Sequence, residues 1–200
     1  MTTDTPRQRR RIKNKAAILD AAAELIVAKG FENVSLRDIA RQADYSPSAL
    51  YKYFDSKAAI IQALKVKENQ KLLSRMGTIP LDIPADQRLI DLCLLYIRHC
   101  LENHVYLTLM NSLVSERKSK DQAVPENSPY RVFLGAVQDW AQAEIIALQT
   151  EYGLEEITYA LWAQIHGMAT LRLSQLRDFE ADFESVNRRT LELFLKGMRD

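Results

Sequence analysis

The sequence of 200 residues predicts an all-α protein. In one segment after another, apolar residues recur every three to four positions, which is the pattern of an amphipathic helix. No stretch alternates apolar and polar residues for long, and the Asn-Gly and Asp-Gly pairs typical of tight hairpins do not occur. The six glycines and six prolines are few and stand near the ends of the periodic segments. These observations favour about nine helices and exclude a many-turned β-sandwich.

The first two predicted helices have clear start and stop signals. The first runs from about Arg9 to Lys29, and Gly30 follows it as glycines often follow a helix end. The second starts at Ser35, which forms a capping-box pattern with Asp38 three residues later. It ends near Ala43, so it is short.

The third and fourth predicted helices follow at once. Ser46 is a good N-cap for the third, and Pro47 suits its first helical position. Leu50 and Phe54, four residues apart, give this helix an apolar side. The fourth helix starts at Ser56 and runs towards Arg75, at residues 56–75.

Five further helices follow a break at residues 76–84 that contains two prolines. Each has apolar residues at helical spacing, and a polar loop at 117–129 separates the second of the five from the third. The predicted ranges are Asp86–Glu102, Val105–Glu116, Ser128–Thr150, Glu155–Arg177 and Asp182–Gly197.

Composition excludes several classes of protein. Apolar residues make up 47% and charged residues 26% of the chain, as in ordinary globular proteins. The longest apolar run, Leu92–Ile97, is far shorter than a membrane helix, and no apolar stretch follows the N-terminal charges as in a secretory signal. Cys93 and Cys100 stand two helical turns apart, too far for a disulfide, so we expect buried reduced thiols in a cytoplasmic protein.

The net charge of +1 conceals an asymmetry along the chain. Residues 1–75 hold 15 Lys and Arg against 8 Asp and Glu, a net charge of +7. Residues 76–200 hold 12 against 18, a net charge of −6. We therefore expect only the first part to bind a polyanion.

The second and third predicted helices, joined by residues 43–45, form a helix-turn-helix pattern. In such motifs the second helix lies in the major groove of DNA. On a helical wheel Leu50 and Phe54 face one way, whereas Ser48, Tyr51 and Lys52 face the other. Small, hydroxyl and cationic side chains suit a surface that contacts phosphates and base edges.

Further residues extend this candidate DNA face. Helix N-termini bind phosphate, and Arg7, Arg9, Arg10 and Arg11 form a basic N-terminal arm that could follow the DNA backbone. The alternatives are that the tyrosines belong to the core and that the cations are solvated or paired on the surface. The candidate DNA-binding residues are Ser35, Arg37, Ser46, Ser48, Ala49, Tyr51, Lys52, Tyr53 and Lys57.

Residues 15–61 resemble the DNA-binding domain of TetR-family transcriptional regulators. The resemblance rests on three ordered segments, AILDAAAELI, KGFENVSLRDIA and SPSALYKYFDSKAAI. The family usually has Ala-Gly-Val-Ser at the turn, whereas this chain has Ala43-Asp44-Tyr45-Ser46. We expect Asp44 to take the left-handed conformation of the usual glycine, since Asp tolerates it better than most residues.

The resemblance implies a bacterial, cytoplasmic homodimer, associated with the nucleoid when it is bound to DNA. Residues 1–57 would form the DNA-binding domain, with the basic arm, and residues 58–200 a helical regulatory domain. Two copies would read a pseudo-palindromic operator in double-stranded DNA, most simply as a repressor that a small-molecule effector releases. An activator, or an architectural DNA binder without a ligand, is the alternative.

The regulatory domain offers candidate ligand and interface residues. Residues 161–167 contain a Trp-x-x-x-His-Gly pattern that resembles one TetR C-terminal class. Aromatic and polar residues suggest a pocket, although core packing is the alternative for most of them. The pocket candidates are Tyr96, His99, Asn111, Trp140, Trp162 and His166. The last two helices are heavily apolar, which fits a dimer interface or a core, and the interface candidates are Leu161, Met168, Leu171, Phe194 and Leu195.

Other function classes are disfavoured by the sequence. An enzyme is not expected, since a glycine-rich phosphate loop, a Gly-x-Ser-x-Gly motif and a metal-ligand spacing are all missing from the sequence. We therefore predict no cofactor and no metal. A membrane-surface protein is disfavoured as well, because the basic residues surround the helix-turn-helix rather than follow one amphipathic face.

Overall fold

The computed structural model describes residues 5–111, 125–144 and 153–198, apart from the side chain of Asn111. Within these ranges every regular element is an α-helix, so the predicted all-α fold is confirmed. The helices are α1 (Pro6–Lys29), α2 (Leu36–Gln42), α3 (Pro47–Leu50), α4 (Lys57–Met76), α5 (Ala85–Glu102), α6 (His104–Asn111), α7 (Pro129–Ala143), α8 (Leu154–Leu173) and α9 (Phe183–Gly197).

The first helix begins earlier than the sequence predicts, and this changes the basic arm. Thr5 caps α1, because the Gln8 backbone N–H donates to its hydroxyl and the Gln8 side chain accepts from its backbone N–H at 2.7 Å. Pro6 at the first helical position adds a preset backbone angle. Residues 7–11, which the sequence assigns to a basic N-terminal arm, are therefore exposed positions on a capped helix.

One compact unit comprises α1, α2, α3, the part of α4 up to Glu68, and α6. Its core is formed by apolar side chains from all of these helices, and these side chains are almost fully buried. The buried members are Ile18, Ala22, Ile26, Val34, Ile39, Ala40, Leu50, Phe54, Ile60, Ile61, Leu64 and Leu109. Because α4 supplies three of them, the unit extends beyond the predicted boundary after residue 57.

The second compact unit comprises residues 69–103 and the described residues from 125 onward. Its central helix is α5, which packs against α7, α8 and α9. Cys93 and Cys100 are buried in α5 and unbonded, as predicted, and burial raises the pKa of Cys93 and raises that of Cys100 to about 12. Such thiols are protonated packing groups rather than nucleophiles.

The end of α8 also differs from the sequence prediction. The helix stops at Leu173, because the backbone N–H of Leu176 turns back to the Leu171 carbonyl at 2.8 Å. The Ser174 hydroxyl donates to the Thr170 carbonyl at 2.7 Å and so satisfies another acceptor at the helix end. Residues 112–116 and 145–150, which the sequence assigns to helix ends, lie outside the described residues.

No helix in the described part of the chain is long and apolar enough to cross a membrane.

Candidate nucleic-acid interface

The turn between α2 and α3 takes the predicted left-handed form. Asp44 has φ 58°, the only positive φ at a residue other than glycine within the described ranges. The Tyr45 backbone N–H reaches back to the Ala40 carbonyl at 2.8 Å and closes the turn. Asp is one of the few residues that tolerate this conformation, so the chain makes the usual turn without the usual glycine.

The start of α2 carries a capping box with aspartate at its third position, as predicted. The Ser35 hydroxyl accepts from the Asp38 backbone N–H at 3.2 Å, and the Asp38 carboxylate accepts from both the hydroxyl and the backbone N–H of Ser35. These bonds, the hydroxyl first, hold the pKa of Asp38 below its usual value. The Ser35 hydroxyl is therefore already engaged within the protein.

Residues 46–54, which we call the recognition segment, are anchored by Leu50 and Phe54, whose exposed fractions are 0% and 6%. Ser46 caps α3 by accepting from the Ala49 backbone N–H at 3.2 Å. The regular helix spans only four residues, but the Phe54 N–H still donates to the Leu50 carbonyl at 3.1 Å. The chain thus stays nearly helical through residues 51–53, which keeps the inward side predicted from the wheel.

Opposite these anchors, the predicted polar face is open to solvent. Ser46, Ser48 and Lys52 are exposed, Tyr51 is 53% exposed, and Ala49 is partly covered. The two serine hydroxyls lie 3.0 Å apart. The result is a surface of short side chains with one phenol and one ammonium group beside it. Because the side chains are short, a polyanion can approach this surface closely.

Tyr53 has a different environment from Tyr51. Its ring is partly buried, and its hydroxyl accepts a hydrogen bond from the Asn14 side-chain amide at 2.8 Å. Its ring also meets Tyr45 edge to face, with centroids 5.9 Å apart. Tyr53 therefore joins the recognition segment to α1, a role that sequence spacing could not reveal because Asn14 is 39 residues away.

The same compact unit carries further cations. Lys57 at the start of α4 lies with its Nζ 4.0 Å from the centre of the Phe31 ring, and the Nζ of Lys15 lies 5.3 Å from the centre of the Phe54 ring. Arg37 is exposed on α2 and forms no ion pair with any residue that the structure describes. The exposed cations on the first turns of α1 are Arg7, Arg9, Arg10, Arg11 and Lys13.

The arrangement matches a known family. The model of the family described as "Bacterial regulatory proteins, tetR family" matches residues 18–64, from the middle of α1 through α2 and α3 into α4. The DNA-binding part of the chain belongs to this family.

The chain aligns with two relatives over most of its length. It is 23% identical to the uncharacterized HTH-type transcriptional regulator YobS of Bacillus subtilis over 181 residues, 90% of each chain. It is 28% identical to the HTH-type transcriptional regulator EthR of Mycolicibacterium smegmatis over 159 residues, which cover 76% of this chain and 70% of EthR. The predicted function of a DNA-binding transcriptional regulator, and not an enzyme, is therefore confirmed.

A solved structure supports the same fold across both compact units. The transcriptional regulator FadR of Bacillus subtilis, in complex with stearoyl-CoA, aligns with a TM-score of 0.70 at 18% identity. The alignment covers 91% of this chain and 98% of FadR. At this identity the comparison supports the fold alone.

In the second unit, three of the predicted pocket residues come together. The Tyr96 hydroxyl lies 2.9 Å from Nδ1 of His166, and the Tyr96 ring lies 5.0 Å from that of Trp162. Burial lowers the pKa of His166, so its neutral form is favoured. Phe133 packs edge to face on Trp162, with centroids 5.3 Å apart, and completes an aromatic cluster.

Two of the other three pocket candidates, His99 and Trp140, have different surroundings. His99 is buried at the end of α5, with Nδ1 3.3 Å from the Arg75 guanidinium. Trp140 is fully buried, and its indole N–H has no hydrogen-bond partner among the residues that the structure describes. The side chain of Asn111 lies outside the described residues.

A cavity of about 560 Å³ opens beside the first two turns of α8. None of the five predicted pocket residues whose side chains the structure describes lines it, although Trp162 stands directly behind one wall, 5.9 Å from the ring of Tyr130. The lining residues are Tyr130, Glu155, Glu156, Ile157, Tyr159, Ala160 and Met198. The described residues contain no group of three side chains suited to hold a metal ion.

The interface candidates divide by burial. Leu161 and Leu195 are 1% and 3% exposed, because α8 and α9 pack these sides onto the core of the second unit. They offer no surface to a partner, so their assignment to an interface is wrong. Met168 and Phe194 are partly buried, whereas Leu171 is 45% exposed. Two exposed apolar residues on α9, Val186 and Leu193, are not among the interface candidates predicted from the sequence.

Proposed function

We propose that this TetR-family regulator is a cytoplasmic repressor, that it binds a pseudo-palindromic operator as a homodimer, and that a small molecule releases it. The observation that carries the proposal is the exposed surface of Ser48, Tyr51 and Lys52 on a segment fixed by two buried anchors. Recognition of bases in the major groove requires a polar surface of short side chains that is held in place by a rigid scaffold.

Within this proposal the DNA-facing residues have separate roles. Base edges or the adjacent sugars are contacted by Ser46, Ser48, Ala49 and Tyr51. The first three have short side chains, which allow the backbone of α3 to approach the groove closely, and Tyr51 lies beside them. Lys52 contacts a phosphate. Phosphate contacts at the edges of the surface come from Arg37, Tyr53 and Lys57, and from the arginines on the first turns of α1, whereas Ser35 takes part by capping the helix that carries Arg37.

The proposed homodimer uses the exposed apolar side chains of α8 and α9. Leu171, Val186 and Leu193 are each 45% to 70% exposed, and such residues mark interfaces when they form a continuous patch. Met168 and Phe194 support the same surface from partly buried positions. Leu171→Arg is expected to raise the monomer fraction in light scattering. A dimer that persists would contradict this interface.

The proposed ligand response follows from the two-unit organisation. FadR of Bacillus subtilis was solved with stearoyl-CoA, which supports a ligand-binding role for the corresponding unit of this chain. Helix α4 contributes residues to both compact units, so it is the element through which a ligand would bias the DNA-binding unit. A ligand that binds the low-affinity conformation more tightly shifts the population away from the operator.

The test is footprinting of the purified protein on the DNA that flanks its own gene, at physiological salt. A compact, two-fold symmetric protected site is the expected result. Broad protection would favour an architectural binder, and a reporter under that site separates repression from activation. Tyr51→Ala is the matched variant, because it removes an exposed ring and should lose the footprint while the protein stays folded.

A further inference from the structure

We propose that the cavity beside the first two turns of α8 binds an organic cation with an apolar body, such as an aryl or alkyl ammonium ion. Its volume of about 560 Å³ lies within the range of small-molecule sites. The cavity is distinct from the aromatic cluster of Tyr96, Trp162 and His166 and contains none of those side chains.

The walls of the cavity are apolar and aromatic. Ile157, Ala160 and Met198 supply aliphatic surface, and Tyr130 and Tyr159 supply two phenol rings. The ring of Tyr130 is partly buried and held edge to face against Trp162, so its position is fixed before any ligand arrives. These walls select a ligand with a hydrophobic body, and ring faces attract cations.

The charged groups of the cavity are two carboxylates. Glu156 is held in place, since its Oε2 accepts from the Gly153 backbone N–H at 2.8 Å as part of the α8 cap. Glu155 is exposed at the neighbouring position. Neither carboxylate forms an ion pair with a residue in the described ranges. Two full negative charges outweigh the positive partial charge of about one half at a helix N-terminus.

The hydroxyl of Tyr130 registers this negative potential. Its pKa is raised, first by burial and then by the charges of Glu155 and Glu156. Arg131 opposes the shift, but its guanidinium is paired with Glu126 at 3.7 Å. The part of this shift that Glu155 and Glu156 cause has the sign of a negative potential, which favours a bound cation and repels an anion.

The inference rests on the proposed function in one respect only, namely that the cation would be the effector that releases DNA. Binding itself is measured on the full chain without DNA. A protein that binds its operator but no cation would refute this inference alone, and one that binds the cation but no operator would refute the proposed function alone.

The experiment compares three probes by isothermal titration calorimetry. Phenyltrimethylammonium carries the charge, tert-butylbenzene is its neutral carbon isostere, and benzenesulfonate is an anion of similar size. The cation is expected to bind about fivefold or more tightly than the isostere, and benzenesulfonate is not expected to bind. Equal affinity for cation and isostere, or no binding of the cation at millimolar concentration, would overturn the inference.

Variants locate the site. The double variant Glu155→Gln/Glu156→Gln removes both charges, and glutamine at 156 can still accept the cap hydrogen bond. It should weaken cation binding about threefold to tenfold and leave the isostere unchanged. Glu192→Gln is the control, because it removes one exposed carboxylate of α9 outside the cavity. Equal loss in both variants would contradict the assignment.

A measurement on the unaltered protein keeps the inference testable if the double variant fails to fold. Raising NaCl from roughly 50 mM to roughly 500 mM should weaken binding of the cation and not that of the isostere, because salt screens charges and not apolar contact. A salt-independent affinity for the cation would refute a role for the carboxylates. Tyr159 lies about 18 Å along α8 from Leu171, so tests of cavity and interface use separate residues.

Discussion

Truncation of Leu50 to alanine tests whether the recognition segment depends on a buried anchor. The side chain is 0% exposed and belongs to the core of the DNA-binding unit. Such truncations cost about 2–5 kcal/mol, according to how far the surroundings can collapse. Because α3 is only four residues long, it can shift into part of the space, so we expect about 2–3 kcal/mol. That cost raises the unfolded fraction roughly 30-fold to 160-fold.

The assay combines urea unfolding with hydrogen exchange of the backbone amides of α3. Leu50→Ala should lower the unfolding free energy and the protection of these amides, and operator affinity should fall although no contact residue has changed. Leu50→Met conserves volume and should cost less than about 1.5 kcal/mol. Tyr51→Ala should also reduce operator affinity, but its unfolding free energy should stay within about 0.5 kcal/mol of that of the unaltered protein. A loss below about 1 kcal/mol for Leu50→Ala would refute the anchoring argument.

Three further predictions concern charge, capping and pH. Lys52→Ala should lower the slope of log affinity against log salt by about one unit. Lys196→Ala, which removes an exposed cation of α9, should leave the slope unchanged. Ser35→Ala should cost about 1 kcal/mol in urea unfolding, because the α2 cap is lost, and Ser35→Thr should retain most of it. Burial lowers the pKa of His166 from 6.5, so the unfolded chain binds a proton first as pH falls. Stability should therefore decline below about pH 6.5 until the lowered folded-state pKa is reached, and His166→Gln should flatten this decline in unfolding free energy measured across that range.

The elements that local chemistry determines could be predicted from the sequence. Gly30 ends α1 with a positive φ of 77°, and Ser35 and Ser46 cap α2 and α3. Each signal involves residues at most three or four positions apart, so the side chain and the backbone group it satisfies are both visible in the sequence. The same holds for Asp44, whose position in a tight turn implied its left-handed backbone.

Features that depend on tertiary packing could not be predicted in this way. Helix α8 has apolar residues on more than one side, and periodicity alone does not tell which side meets the core, so Leu161 was assigned to an interface. The cavity was missed because its walls, among them Tyr130, Glu155 and Met198, come from three helical segments far apart in the chain. Only the folded arrangement brings a carboxylate and a phenol ring to the same opening.

The hydrogen bond between Asn14 and Tyr53 has a consequence for how this surface can evolve. The amide of one residue and the phenol of the other satisfy each other across 39 positions, so loss of either leaves a partly buried polar group without its partner. Replacement of tyrosine by phenylalanine would strand the amide, and replacement of asparagine by leucine would strand the phenol. Among close relatives the two positions should therefore change together, and descendants that acquire new operator preferences should do so first at Ser48, Tyr51 and Lys52, which no such bond to α1 constrains.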